Sequence, residues 1–274
     1  MKYFLFILIG IQINAHALSE TTPEDSYKTA IRNENENFET AWARLEKNYR
    51  QAFPSVNEWD KNAQEMAVYL SKLDISTVTE WTNEFQLEEA FKAIRDRRFL
   101  DDRDHPNKLR RITWLFPDDG CYARAALSTV IIRNLGFPAP KKIYIFGSLR
   151  IETPNIPGGK TGWTYHVALT VKVNNKVYVL DPAMNQTRPL ELSEWTFRMV
   201  KKDKDARLAV CSENTYIPSQ SCLNSKISDD DEALEDQKDF LPKEWKNLLK
   251  LKRDPTKELW DNPPWLPSNF FHKK

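Results

Sequence analysis

Hydrophobic residues recur at helical spacing through the first part of the chain. In residues 34–53 the apolar side chains follow one another at intervals of four, three and four residues: Phe38, Trp42, Leu45 and Tyr49. Stripes of the same kind cover residues 57–74 and residues 77–100. We therefore expect residues 18–105 to form a helical N-terminal region, either a pro-segment or an accessory domain.

The pattern changes after about residue 106, where one helical run is followed by alternating segments. Apolar residues at helical spacing follow Cys121, and Gly136 with the nearby Pro138 supplies a helix-stop signal. Residues 141–151 alternate as a strand does, with an interruption at Gly147. Residues 163–182 read as two strands joined at Asn174-Asn175, a pair that tolerates the positive φ of a hairpin turn.

A turn centred on these two asparagines fixes a strand register. Ala168 then faces Asp181. His166 lies on the same face as a diagonal neighbour of Asp181, with about 7–8 Å between the backbones of the two residues. The opposite face collects a candidate core layer, namely Tyr165, Val167, Leu169, Val171, Tyr178 and Leu180. A β-bulge in either strand would shift this register by one residue and separate the pair.

The two ends of the chain differ from its middle. Residues 1–17 combine an early lysine, an apolar run and Ala15-His16-Ala17, the pattern of a secretory signal peptide. No later stretch is expected to cross a membrane. Residues 226–274 are expected to hold an acidic stretch, a short helix over 243–254, and a tail rich in proline and aromatic residues.

Composition narrows the function classes. Without Lys2 of the signal peptide, 39 basic residues balance 39 acidic ones, which leaves no electrostatic footprint for nucleic acid. Only seven glycines argue against a turn-dense β-sandwich. The three cysteines and the strand histidine do not make a zinc set, so neither a metal nor another cofactor is expected.

The three cysteines suggest two different uses. Cys211 and Cys222 are close in sequence, and thiols of exported proteins tend to pair. Cys121 is left over, either as a buried core cysteine or as a reactive thiol. Asp118 and Asp119 stand where a helix N-cap belongs, which places Cys121 in the first helical turn, where the helix terminus favours a thiolate.

A thiolate nucleophile needs a base, and His166 is the histidine in a predicted strand. His16 leaves with the signal peptide, whereas His105 and His272 lie in a charged loop and in the tail. Asp181 would orient the His166 ring and stabilise its protonated form.

Three segments in this order, "DGCYARA", "YHVALTV" and "VYVLDP", resemble the protein-glutaminase family of secreted bacterial deamidases. The resemblance spans about residues 106–222 and implies an α+β fold: a helical N-terminal region followed by a papain/transglutaminase-like core, with the nucleophile helix packed on an antiparallel sheet. It implies a catalytic domain over 106–225, with Cys121 as nucleophile, His166 as base and Asp181 as its orienting acid. Cys211 and Cys222 resemble the disulfide-bearing loop of that family.

The expected activity is hydrolysis of glutamine side-chain amides in proteins or peptides by a secreted or periplasmic monomer, without stable membrane association. The Cys121 N–H would help to bind the oxyanion, with Trp114 and Tyr122 as nearby side-chain candidates, and residues 154–163 form either a loop over the substrate or a plain connector. A transglutaminase and a cysteine peptidase would use the same three residues. A non-catalytic exported binding protein with a buried Cys121 is the alternative of another class.

Overall fold

The centre of the molecule is an antiparallel sheet of five strands in the order β4-β3-β2-β1-β5. The computed structural model describes residues 67–96, 111–217, 222, 226–227 and 230–266. The sheet strands are β1 Lys141–Glu152, β2 Lys160–Val173, β3 Lys176–Leu180, β4 Leu190–Glu191 and β5 Ala206–Cys211. A separate ribbon pairs β6 Thr215–Ile217 with β7 Lys226–Ile227. The α-helices of the described residues are α1 Glu84–Asp96, α2 Cys121–Asn134, α3 Leu192–Met199, α4 Asp230–Lys250 and α5 Pro255–Leu259, and short 3₁₀-helices cover Leu70–Lys72 and Asp203–Asp205.

The N-terminal part that the structure describes is less helical than its sequence pattern predicts. The predicted signal peptide and the helix over 34–53 lie outside the described residues. Residues 67–69 are not helical, because Val68 exchanges two backbone hydrogen bonds with Leu208 of β5, at 2.8 and 2.7 Å. Glu80 forms a parallel bridge to Lys172, where β2 extends past its pairing with β1. Among the N-terminal residues that the structure describes, the expected amphipathic stripe is confirmed in α1, which buries Leu87, Phe91 and Ile94.

α2 ends where the sequence predicts. Gly136 has φ 73°, and its N–H donates to the carbonyl of Arg133, while the Phe137 N–H donates to that of Ile132. These two bonds form a Schellman motif, which satisfies the last carbonyls of the helix.

The β2–β3 hairpin confirms the predicted register. Asn174 and Asn175 have φ values of 51° and 62°, and Leu169 pairs with Leu180. One face of this hairpin packs with α2 and holds Tyr165, Val167, Leu169, Val171 and Leu180. We call it the α2 face. The α3 face, on the other side, packs Ala168 and Val179 with Trp195 of α3. The sheet is therefore buried on both sides.

β1 contains a bulge next to the part of β2 that carries His166. Phe146 pairs with Tyr165, but the next pair is Leu149 with Trp163, so β1 has one residue more than β2 over this interval. Gly147 occupies the bulge with φ 151°, and a Cβ there would stand 2.5 Å from the Asp205 carbonyl oxygen. No other residue fits this backbone position.

The C-terminal region forms one long helix rather than a short one. α4 continues through Pro242, so residues 230–237 of the acidic stretch and residues 243–250 are parts of the same helix. It packs on α2, where the Phe240 ring covers Gly120. The buried Arg111 pairs with Glu244 of α4 at 2.9 Å and with Asp261 at 3.3 Å.

Cys211 and Cys222 form the expected disulfide, with Cα atoms 5.3 Å apart. Within the ranges given above, no helix has both the length and the apolar composition needed to cross a lipid bilayer.

Candidate active site

Cys121 is the first residue of α2 and is 6% exposed. The residue before it, Gly120, is the N-cap with φ 80°, and no side chain caps this helix end. The prediction that Asp118 or Asp119 caps α2 is therefore wrong. The two carboxylates bind elsewhere: Asp118 accepts a hydrogen bond from Thr161 Oγ1 at 2.5 Å, and Asp119 from the Gly120 N–H at 2.6 Å. The glycine replaces a capping side chain because the chain takes a left-handed turn there.

Asp119 is buried two residues before Cys121, in surroundings that oppose its negative charge. Burial raises the pKa of Asp119 from 3.8 to about 7, although the Gly120 N–H and the cations of Arg124 and Lys243 lower it. Its Oδ2 is buried and has no hydrogen-bond partner among the described residues. Since much of this carboxyl is protonated at neutral pH, it opposes a thiolate at Cys121 less than an ordinary aspartate would.

His166 and Asp181 form a buried pair across the hairpin. His166 Nε2 lies 2.8 Å from Asp181 Oδ2, and the two side chains are 2% and 3% exposed. The same oxygen accepts the Nε1–H of Trp195 at 2.9 Å, and Oδ1 accepts the Ala183 N–H at 3.2 Å. Asp181 is thus fixed by three donors, if His166 Nε2 carries its proton.

The electrostatics of this pair favour an ionised site. Burial lowers the pKa of His166, but the charge and hydrogen bond of Asp181, together with Cys121, raise it to about 9. Burial likewise opposes the charge of Asp181, but His166 and the Trp195 N–H hold the pKa of Asp181 below its ordinary value. These shifts favour a protonated imidazole beside an ionised carboxylate.

The structure brings together the three residues that the sequence predicts. Cys121 is near enough to His166 to raise the pKa of the imidazole. With Nε2 engaged by Asp181, Nδ1 has no hydrogen-bond partner of ordinary geometry among the described residues. Nδ1 is therefore the ring nitrogen left to exchange a proton with the sulfur or with a substrate.

Two tryptophans that sequence reasoning missed enclose the imidazole. The rings of Trp163 and His166 are stacked with centroids 4.8 Å apart, and those of His166 and Trp195 with centroids 5.7 Å apart. If side chains alternated strictly along β2, Trp163 would lie with Tyr165 on the α2 face. Trp163 packs instead on the α3 face, in the cluster that contains Trp195. The only signal in the sequence was Gly147, which marks the neighbouring bulge.

The side-chain candidates for oxyanion binding are engaged in other contacts. Trp114 donates its Nε1–H to the carbonyl of Ile94 at 3.0 Å. Tyr122 is 2% exposed, and its ring packs edge-on against Tyr216 and Phe240. Residues 153–159 join β1 to β2 and close on themselves through the Thr153 N–H and the Gly159 carbonyl.

Comparison with known families confirms the resemblance recognised in the sequence. A family model described as Glutaminase matches residues 87–199, a span that includes Cys121, His166 and Asp181. The chain thus resembles the protein-glutaminases over this segment. No curated protein sequence matches the chain.

Solved structures of protein-glutaminases are similar to this chain at low sequence identity. The NMR structure of protein-glutaminase from Chryseobacterium proteolyticum is 22% identical, with 58% of this chain and 86% of that chain covered and a TM-score of 0.45. A crystal structure of protein-glutaminase is 20% identical, with 60% and 89% covered and a TM-score of 0.46. A crystal structure of pro-protein-glutaminase is 18% identical, with 77% and 80% covered and a TM-score of 0.45.

Proposed function

We propose that this protein is a secreted protein-glutamine deamidase, which hydrolyses glutamine side-chain amides to glutamate and ammonia through a cysteinyl thioester. The observation that carries the proposal is the buried His166–Asp181 pair, 2.8 Å apart, beside a cysteine at the start of a helix. The match to the Glutaminase family model supports amide hydrolysis as the reaction class.

The first half of the reaction forms the thioester. The Cys121 sulfur attacks the γ-carboxamide carbon of a glutamine, and the carbonyl electrons move to oxygen. His166 gives its proton to the amide nitrogen, the C–N bond breaks, and ammonia leaves. The Cys121 backbone N–H, at the start of α2, would donate to the oxyanion during this step.

The second half hydrolyses the thioester. Neutral His166 takes a proton from a water molecule, and the resulting hydroxide attacks the thioester carbon. The C–S bond breaks and returns the thiolate, while the new carboxyl group leaves as glutamate. Asp181 stays ionised throughout, because its role is to orient and stabilise the imidazolium rather than to accept its proton.

The domain organisation that goes with this activity is a signal peptide at 1–17, a helical region at 18–105, a catalytic domain at 106–225 and a C-terminal region at 226–274. The Cys211–Cys222 disulfide supports a location outside the reducing cytosol.

Ammonia release tests the proposal directly. Wild type and Cys121→Ser are incubated with a protein rich in exposed glutamines, and both ammonia and the masses of substrate peptides are measured. We expect wild type to release ammonia and to add the mass change of amide-to-acid conversion, and Cys121→Ser to do neither. Ser128→Ala, at a buried position further along α2, is the matched control and should retain activity.

The rival activities give different products in the same assay. Incorporation of an added primary amine, or crosslinked substrate, would favour a transglutaminase instead. New peptide termini would favour a peptidase. If none of these products forms and a thiol reagent labels Cys121 only after unfolding, Cys121 is a buried core cysteine and the enzyme hypothesis is wrong.

A further inference from the structure

Trp163 contacts both parts of the candidate site. Its ring is stacked on the His166 ring, with the planes inclined by 17°. Its Nε1–H donates to the carbonyl oxygens of Pro117, at 3.0 Å, and Asp118, at 3.1 Å. These carbonyls belong to the turn that leads into Cys121, so one side chain joins the base to the approach of the nucleophile.

The same end of β2 holds this turn at a second point. Thr161, two residues before Trp163, donates its hydroxyl hydrogen to Asp118 Oδ1 at 2.5 Å. Trp163 is 3% exposed, so water does not replace its hydrogen bonds if they are lost. The turn before Cys121 is therefore attached to the strand that carries His166, and not only to α2.

We propose that Trp163 is a positioning residue that sets the separation of the Cys121 sulfur and the His166 ring. Its N–H holds the turn that leads into Cys121, and its ring holds the plane of the imidazole. This inference rests on the proposed function for the roles of Cys121 and His166. Proton transfer and attack depend steeply on such a separation, since a displacement of about 1 Å can lower a rate by about 100-fold.

Trp81 provides a matched control for a purely structural role. It is 1% exposed, and its Nε1–H donates to the Pro138 carbonyl at 3.0 Å, beyond the far end of α2. Replacing either tryptophan by phenylalanine keeps an aromatic ring and removes an indole N–H that donates to a proline carbonyl. Trp163→Phe also removes the bond to the Asp118 carbonyl. The two variants differ in whether the lost bonds reach the candidate site.

Two measurements on Trp163→Phe and Trp81→Phe test the inference. We expect Trp163→Phe to lower kcat for ammonia release by about 10- to 100-fold, with KM within about twofold of wild type because the substrate contacts remain. We also expect it to move the pH profile of Cys121 alkylation by iodoacetamide to higher pH, because the thiolate loses its well-placed imidazolium. Trp81→Phe should leave both the kcat and the profile as in wild type.

The alkylation profile separates failure of the inference from failure of the proposed function, because it needs no substrate. If wild type releases no ammonia but Trp163→Phe alone moves the profile, the deamidase proposal fails and the positioning role stands. If both phenylalanine variants keep the wild-type kcat and profile and lose only thermal stability, Trp163 is merely structural and the inference is overturned. Trp163→Leu, which removes ring and donor together, should move the profile at least as far as Trp163→Phe; a smaller movement would also overturn it.

Discussion

The two faces of the central sheet are both buried, yet they hold their parts of the candidate site in different ways. On the α2 face, aliphatic and aromatic side chains such as Val167 and Leu169 pack with the helix that presents Cys121. On the α3 face, hydrogen bonds converge on a buried ionisable pair: His166 Nε2 and Trp195 Nε1 both lie within 2.9 Å of one Asp181 oxygen.

This difference predicts that substitutions on the two faces affect different properties of the protein. Packed apolar contacts have no strict direction, so a lost methyl group lowers stability while the helix keeps its place. Hydrogen bonds to a buried charge are directional, and each loss leaves an unpaired polar group inside the protein. We therefore expect changes on the α2 face to lower the free energy of unfolding, and changes on the α3 face to lower activity.

The largest effect is expected from Asp181→Asn on the α3 face. The amide keeps the shape of the side chain but not its charge, so it neither fixes the His166 tautomer nor stabilises the imidazolium. We expect kcat for ammonia release to fall by about 10³- to 10⁴-fold, with a folded far-UV circular dichroism spectrum. A loss below about tenfold would show that Asp181 does not orient the base.

Leu127→Ala tests the α2 face. Leu127 is 1% exposed in the core between α2 and the sheet, and its truncation should lower the free energy of unfolding by about 2–5 kcal/mol. Urea unfolding measures this, and kcat per folded molecule should stay within about threefold of wild type. Leu135 is 42% exposed at the end of the same helix, so Leu135→Ala should lower the free energy of unfolding much less. A large fall in kcat for folded Leu127→Ala would break the distinction between the faces.

Gly120→Ala and Gly136→Ala compare the two ends of α2. Both glycines have positive φ, so each alanine should cost about 1 kcal/mol of backbone strain. A Cβ at Gly120 would also stand 2.8 Å from the Phe240 ring, whereas Gly136 has nothing within 4 Å. We expect Gly120→Ala to cost about 2–4 kcal/mol in all. Adding Phe240→Leu to Gly120→Ala should restore part of the lost free energy of unfolding. If the two alanine variants lose equal free energy of unfolding, the clash between the Gly120 Cβ and the Phe240 ring is excluded.

The smallest effect is a dependence of stability on pH. The pKa of His166 rises from 6.5 to about 9 on folding, so its stabilising contribution is fully present below pH 6.5 and is lost as the pH rises through 9. Between pH 7 and 9.5, wild type should lose on the order of 2 kcal/mol more than His166→Gln. Parallel profiles for the two proteins in urea unfolding would show that the imidazole is not held in its charged form.

Much of the site follows from short-range patterns. Asn174-Asn175 defines a turn and therefore the register, which is enough to place His166 and Asp181 on one face. The end of α2 at Gly136 and the Cys211–Cys222 disulfide could likewise be predicted from residues that are close together in the sequence. The catalytic roles of Cys121, His166 and Asp181 remain predictions. The placing of Cys121 beside the other two also requires the packing of α2 on the sheet and the bonds that hold the turn before it, neither of which is a local pattern.

The features that sequence reasoning missed depend on contacts between distant segments. Trp163 leaves the alternation of β2 beside a bulge in another strand, and Trp195 reaches Asp181 from a helix that was not predicted. Residues 67–83 carry apolar residues at helical spacing, but Val68 pairs with β5 and Glu80 pairs with β2. Backbone N–H and C=O groups of these strands that face no other strand can form hydrogen bonds with this segment. α4 likewise continues through Pro242, where a local rule would have ended the helix.

The attachment of residues 111–115 to the C-terminal region has a consequence for biosynthesis. The Leu115 N–H donates to Glu244, Gln237 donates to Thr113, and Arg111 pairs with Asp261, across separations of 129, 124 and 150 residues. During translation the segment that leads into the nucleophile is made long before these partners. In a nascent chain that ends before Asp261, Arg111 cannot form this ion pair. We therefore expect Cys121 to reach its folded position only after almost the whole polypeptide has been made.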